Sequence, residues 1–80
     1  RRHLRHRSRH LRARAMVALA EHGPVHATEA TLAALEDPDL QVRLLGVDLA
    51  QRYTTPELEE AVLALLARDE AVAKAVLGEN

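Results

Sequence analysis

Cysteine, phenylalanine and tryptophan are absent from the 80 residues, and tyrosine occurs once. Without cysteine there are no disulfides, no thiol catalysis and no Cys-based metal sites. Redox chemistry therefore leaves the compartment open, and a bacterial cytoplasm is the expected setting. With one aromatic residue, the core has to be built from Leu, Val and Ala, which suit close helix–helix packing and favour helix. The same lack removes the stacking platform on which nucleic-acid bases are usually held. Long apolar runs are missing too. The longest, residues 13–20 and 61–67, are broken or bounded by charge and fall far short of the ~20 residues a membrane-crossing helix needs. Arginines before residues 15–20 give a faint likeness to a signal peptide, but the apolar part is too short and no small-residue cleavage site follows. No strand pattern occurs. A chain this short forms one small domain and buries only roughly 60% of its unfolded surface.

What is present is unevenly charged. Residues 1–14 hold seven Arg, three His and no acid; residues 15–80 hold four basic and all twelve acidic residues, a formal −8. Halves of opposite sign attract each other, or each attracts a different partner.

The chain is organised around Leu35-Glu36-Asp37-Pro38-Asp39-Leu40-Gln41-Val42-Arg43. Pro38 cannot continue a helix from Asp37, and Asp39 suits the cap of the next one. The pattern returns at a spacing of 31 residues. Glu29 falls on Glu60, Leu32 on Leu63 and Leu35 on Leu66; in the other direction Leu4 falls on Leu35, Ser8 on Asp39 and Leu11 on Val42. Arg12, Arg43 and Lys74 fall on one another. Apolar, capping and basic positions agree in type, and a period of 20 to 50 residues is the mark of a helical solenoid.

Asp37-Pro38-Asp39 followed by Val42-Arg43, in a period near 30, resembles a HEAT-like repeat of the short bacterial type. The stretch from Thr55-Pro56 through Ala67-Arg68-Asp69 to Ala71-Val72-Ala73-Lys74 is similar to the leucine-rich variant repeat. The third copy departs from the pattern with Asp69-Glu70 and no proline, and the first has His6-Arg7-Ser8. The resemblance implies an all-α, right-handed α-solenoid of about two and a half helical hairpins, roughly five helices. It also implies that Arg12, Arg43 and Lys74 bridge neighbouring repeats. Residues 1–7 are a basic segment or the end of a truncated helix, and residues 8–80 the repeat domain. The chain opens on Arg rather than Met, and the sequence reads as a piece of a longer protein.

The elements follow from local signals. A first helix starts at Ser8, carries Leu11, Ala15, Ala18 and Leu19 inward, and ends near His22, stopped by Gly23-Pro24. A second runs from Ala27 or Thr28 to Glu36 with Ala30, Thr31, Ala34 and Leu35 inward. The third, from Asp39 to Tyr53, has two stripes, Leu40/Leu44/Val47 and Val42/Leu45/Leu49, and so packs on more than one side. Gly46 within it costs ~1 kcal/mol of helix propensity, which a close neighbour helix explains. Thr55 caps a fourth helix with Pro56 at its first position, running to Arg68 with Leu58, Ala61, Val62, Leu65 and Leu66 inward. A fifth, short helix carries Val72, Ala75 and Val76 and stops at Gly78.

Candidate chemistry is sparse. His3, His6 and His10 share helical spacing, but seven neighbouring arginines disfavour a bound cation, and no metal or other cofactor is expected. His22 and His26 read as loop histidines. Glu57, Glu59 and Glu60 form an acidic helix start without the cleft that acid–base catalysis needs. Some HEAT-like folds are DNA glycosylases, but no Trp and no acid in the basic segment match that chemistry; no chromophore pocket like that of bilin-lyase relatives stands out either. The expectation is a non-enzymatic module that binds another protein or itself. Its candidate partner-binding residues are Arg5, Arg7, Arg9, Arg12, Arg43 and Lys74, and its candidate end-packing residues are Leu4, Leu11, Val72 and Val76. The alternative is binding of nucleic-acid phosphates through the Arg-rich segment.

Overall fold

The computed structural model describes residues 8–78. Over these residues the chain is all-α, with five helices: α1 (Arg9–Ala20), α2 (Pro24–Leu35), α3 (Leu40–Arg52), α4 (Pro56–Arg68) and α5 (Glu70–Leu77). Four begin at a side-chain cap. Ser8 Oγ accepts from the N–H of Leu11, and the Asp39, Thr55 and Asp69 side chains accept from Val42, Leu58 and Val72. Each satisfies a helix-start N–H that has no partner within the helix.

α2 starts differently from the expectation. Gly23-Pro24 does not hold the chain off-helix as far as Ala27. Gly23 adopts φ 135°, a conformation open to glycine, and Pro24 is itself the first helical residue. Proline fits there because its fixed φ is helical and its missing N–H is one the helix does not use. α1 accordingly ends at Ala20, two residues before His22. At the other end Gly78, with φ 73°, closes α5.

Helices adjacent in sequence pack on one another; α1 also touches α3, α2 touches α4, and α3 touches α5. Two apolar clusters result. Met16, Ala20, Ala27, Ala30, Ala34, Val42 and Leu49 make the first, between α1, α2 and α3. Leu35, Val47, Leu65 and Val72 make the second, between α2, α3, α4 and α5. α3 contributes to both, as its two stripes require. Gly46 marks the tightest approach: a Cβ there would lie 2.9 Å from both Cδ2 and the backbone N of Leu35. The inward residues expected for α2 and α4 are buried or half-buried. The α1 stripe is rotated from expectation: Met16 and Ala20 are buried, while Leu11 and Ala18 are exposed. The whole is compact, with a radius of gyration of 11.8 Å and extents of 34 × 28 × 16 Å. No helix among the described residues is long and apolar enough to cross a membrane.

Candidate interaction surface

The helix order places all the capped turns but one at the same end of the molecule. The start of α1, the α2–α3 turn and the α4–α5 turn lie together, and there the charged side chains are concentrated. Arg12, four residues beyond the α1 cap, reaches the α2–α3 turn. Its Nε donates to Asp37 Oδ2 at 2.7 Å and its Nη2 to Oδ1 at 2.8 Å. The pair is nearly out of solvent, with side-chain exposures of 11% and 3%. Asp37 Oδ1 also accepts from the backbone N–H of Asp39 at 2.9 Å, which shapes the turn before α3. The hydrogen bond to Asp37 is the largest influence on the Arg12 pKa and raises it; desolvation opposes this, and the charges of Asp37 and Asp39 add to it.

Arg43 occupies the same place after the α3 cap. Its Nη1 donates to the carbonyl oxygens of Asp37 and Pro38, both at 2.9 Å. Its Nε lies 2.8 Å from Asp69 Oδ2 in the α4–α5 turn. That N–H is not aligned on the oxygen and makes no hydrogen bond, so the contact is between charges. Lys74 does not join Arg12 and Arg43. The α5 cap is Asp69, 30 residues after Asp39, whereas Ser8 and Asp39 are 31 apart. Ala73 therefore takes the corresponding place, and Lys74 points to solvent, 3.8 Å from Glu70.

The remaining candidate residues divide by exposure. Arg9 is half-exposed and donates to Asp39 at 3.2 Å. Desolvation, the largest influence on the Asp39 carboxyl, pushes its pKa up. The hydrogen bonds from Arg9 and the Val42 N–H, the charge of Arg9 and the Gln41 N–H together outweigh it, and the pKa is lowered. Leu4, Arg5 and Arg7 lie outside the described residues. Val72 is fully buried in the second cluster, while Leu11 and Val76 are 43% and 37% exposed. Three further apolar residues are more open than either: Leu63, Leu77 and Val25. Helical spacing could have singled out Leu63, which lies off the stripe made by Leu58, Ala61, Val62 and Leu65.

Shallow grooves mark the surface of the described residues, three of them beside the elements above. One of about 530 Å³ lies between the α1–α2 and α3–α4 turns, beside Thr28, Arg52 and Tyr53. Another, about 440 Å³, runs over Ala13, Val17, Ala18 and Leu45. The third, about 310 Å³, is formed by Ala50, Gln51 and Thr54 after and along α3 and by Glu59, Val62 and Leu63 of α4. His26 is not in a loop: it stands in the first turn of α2, its ring edge-on to His22 with centroids 6.3 Å apart. Among the described residues no three His, Asp or Glu side chains gather as a metal site would require. The chain matches no family model, no curated protein and no solved structure.

Proposed function

We propose that the chain is a HEAT-like helical-repeat module that binds another protein or assembles with itself, without catalysis. One observation carries the reading. A base four residues after the cap of α1, and again after the cap of α3, reaches across into the turn of the following hairpin. Repeat proteins are held by such nearest-neighbour links, and among the described residues the main helix contacts likewise run between near neighbours in sequence. The charged groups most withdrawn from solvent in these ion pairs, Arg12, Arg43, Asp37, Asp39 and Asp69, cap helices or join turns. What faces outward is aliphatic surface and unlike charge, the means by which a scaffold recognises another chain.

Sedimentation equilibrium across a range of salt, with and without a short nucleic-acid duplex, tests the reading. Association with itself, or with a protein recovered and then shown to bind the purified chain, is expected, with no duplex binding. A monomer that takes up the duplex at low salt and releases it at high salt overturns it in favour of phosphate binding.

A further inference from the structure

The outward face of α1 carries a charge pattern that is its own complement. Arg14, Val17, Ala18 and Glu21 recur at helical spacing and so share one side of the helix. With Ala13 and, from α3, Leu45 they line the groove of about 440 Å³. Between its ends the lining is apolar: Ala13, Val17 and Leu45 are half-buried and Ala18 is exposed. The two ends are charged and opposite in sign. Arg14 and Glu21 are both exposed, and neither side chain has an ion-pair partner among the described residues. They stand two helical turns apart, about 10 Å along the axis. The groove thus offers a cation at one end, an anion at the other and small aliphatic residues between.

A helix that fits this groove presents the same features in reverse, and α1 itself does so. We propose that α1 of a second copy packs antiparallel on this face, forming a twofold-symmetric pair. Midway between residues 14 and 21 lies the Val17–Ala18 step. About that centre Arg14 of each copy stands opposite Glu21 of the other and Val17 opposite Ala18, with Leu45 at the edge. One patch then serves both partners, as in most dimers. A parallel pair would set Arg14 against Arg14 and Glu21 against Glu21, and like charges repel. The antiparallel pair also brings each positive helix N-terminus beside a negative C-terminus. Ala13 and Ala18 keep side-chain bulk low, so the axes can approach to about 8 Å. The groove beside Leu63 has no such self-match: its one charged residue is Glu59, with no base to answer it in a second copy. α1 has 12 residues and is about 18 Å long. A single helix pair of that length lies at the low end of interface sizes, so the dimer is weak and depends on concentration.

The contact rests on the self-association proposed above and has its own test, a charge swap. Sedimentation equilibrium of the full chain is compared with Arg14→Glu, Glu21→Arg and the double variant Arg14→Glu/Glu21→Arg, with helix content checked by circular dichroism. Both side chains are exposed, so the fold is not at stake. Each single change turns two symmetry-related attractions into repulsions, and the dimer should weaken about tenfold. The double variant restores both pairs with their signs exchanged and leaves the net charge unaltered, so its dimer should return to the original strength. An equimolar mixture of the two single variants should associate more tightly than either alone. Association untouched by both single changes overturns the proposed contact while leaving self-assembly standing. A double variant no tighter than the singles overturns the antiparallel register. A chain that stays monomeric up to about 1 mM overturns both the contact and self-assembly.

Discussion

Arg12 closes on Asp37 with two parallel hydrogen bonds across 25 residues of sequence. One end of the pair belongs to the first turn of α1 and the other to the turn between α2 and α3. The fork of the guanidinium matches the two carboxylate oxygens. Because both partners are nearly out of solvent, removing either strips a largely buried charge of this opposite charge.

Arg12→Ala and Asp37→Ala are each expected to lower the urea midpoint of unfolding clearly, and more than Arg9→Ala, whose side chain is half-exposed. The double variant should lose less than the two single losses added together, since the second change removes a group that has already lost this partner. Strict additivity in that cycle sinks the claim that the pair acts as one unit.

Stability should also depend on acid through Asp39. Its folded pKa is lowered, so the unfolded chain binds this proton more readily. The contribution is full above the ordinary carboxylate value of about 3.9. It is lost as pH falls through that value and on through the lower folded one. Asp39→Ser keeps a capping oxygen, as Ser8 does for α1, but cannot pair with Arg9. Unfolding midpoints measured from neutral pH downward should fall less steeply for that variant; equal slopes count against the Arg9–Asp39 contact.

At Gly46 two effects oppose each other. Alanine gains about 1 kcal/mol of helix propensity. Its Cβ, however, meets backbone as well as a side chain of Leu35, and the carbonyl carbon of Ala34 at 3.1 Å. Overpacking of this kind costs about 1–3 kcal/mol, and backbone cannot swing aside. Gly46→Ala is expected to destabilise by up to about 2 kcal/mol net, read by thermal or chemical unfolding. A gain in stability means that α2 and α3 separate more easily than their spacing implies.

Thr31 is fully buried and its hydroxyl has no hydrogen-bond partner among the described residues. A buried unsatisfied polar group costs about 1–3 kcal/mol. Thr31→Val replaces the hydroxyl with a methyl of similar size and should stabilise the chain by about 1 kcal/mol. A loss instead points to a water held by the hydroxyl.

Much of this architecture is legible in the sequence, and the misreadings have physical causes. α3, α4 and α5 announce themselves through Asp39, Thr55-Pro56 and Gly78, whose chemistry allows little else. The α1–α2 boundary misleads because Gly-Pro serves equally as a stop and as a start; only Gly23 at φ 135° decides between them. The α1 stripe misleads because Arg12 is an inward-facing residue that looks like a surface one: its stem lies against the fold and its charge is met by Asp37, far off in sequence. Lys74 misleads because a fixed period was applied across a hairpin one residue shorter. One residue turns a helix position by roughly 100°, which is enough to move a base from a turn into solvent. The groove beside Ala50, Val62 and Leu63 has no signature of its own, since it depends on how α3 and α4 pack.

α3 forms a wall of both apolar clusters, so neither cluster can open without exposing the other. The domain should therefore lose its structure in a single cooperative step rather than hairpin by hairpin. Under hydrogen exchange the amides of α3 should be the last to yield. Those of α5, held chiefly by Val72, its Asp69 cap and the reach of Arg43, should fray well before them.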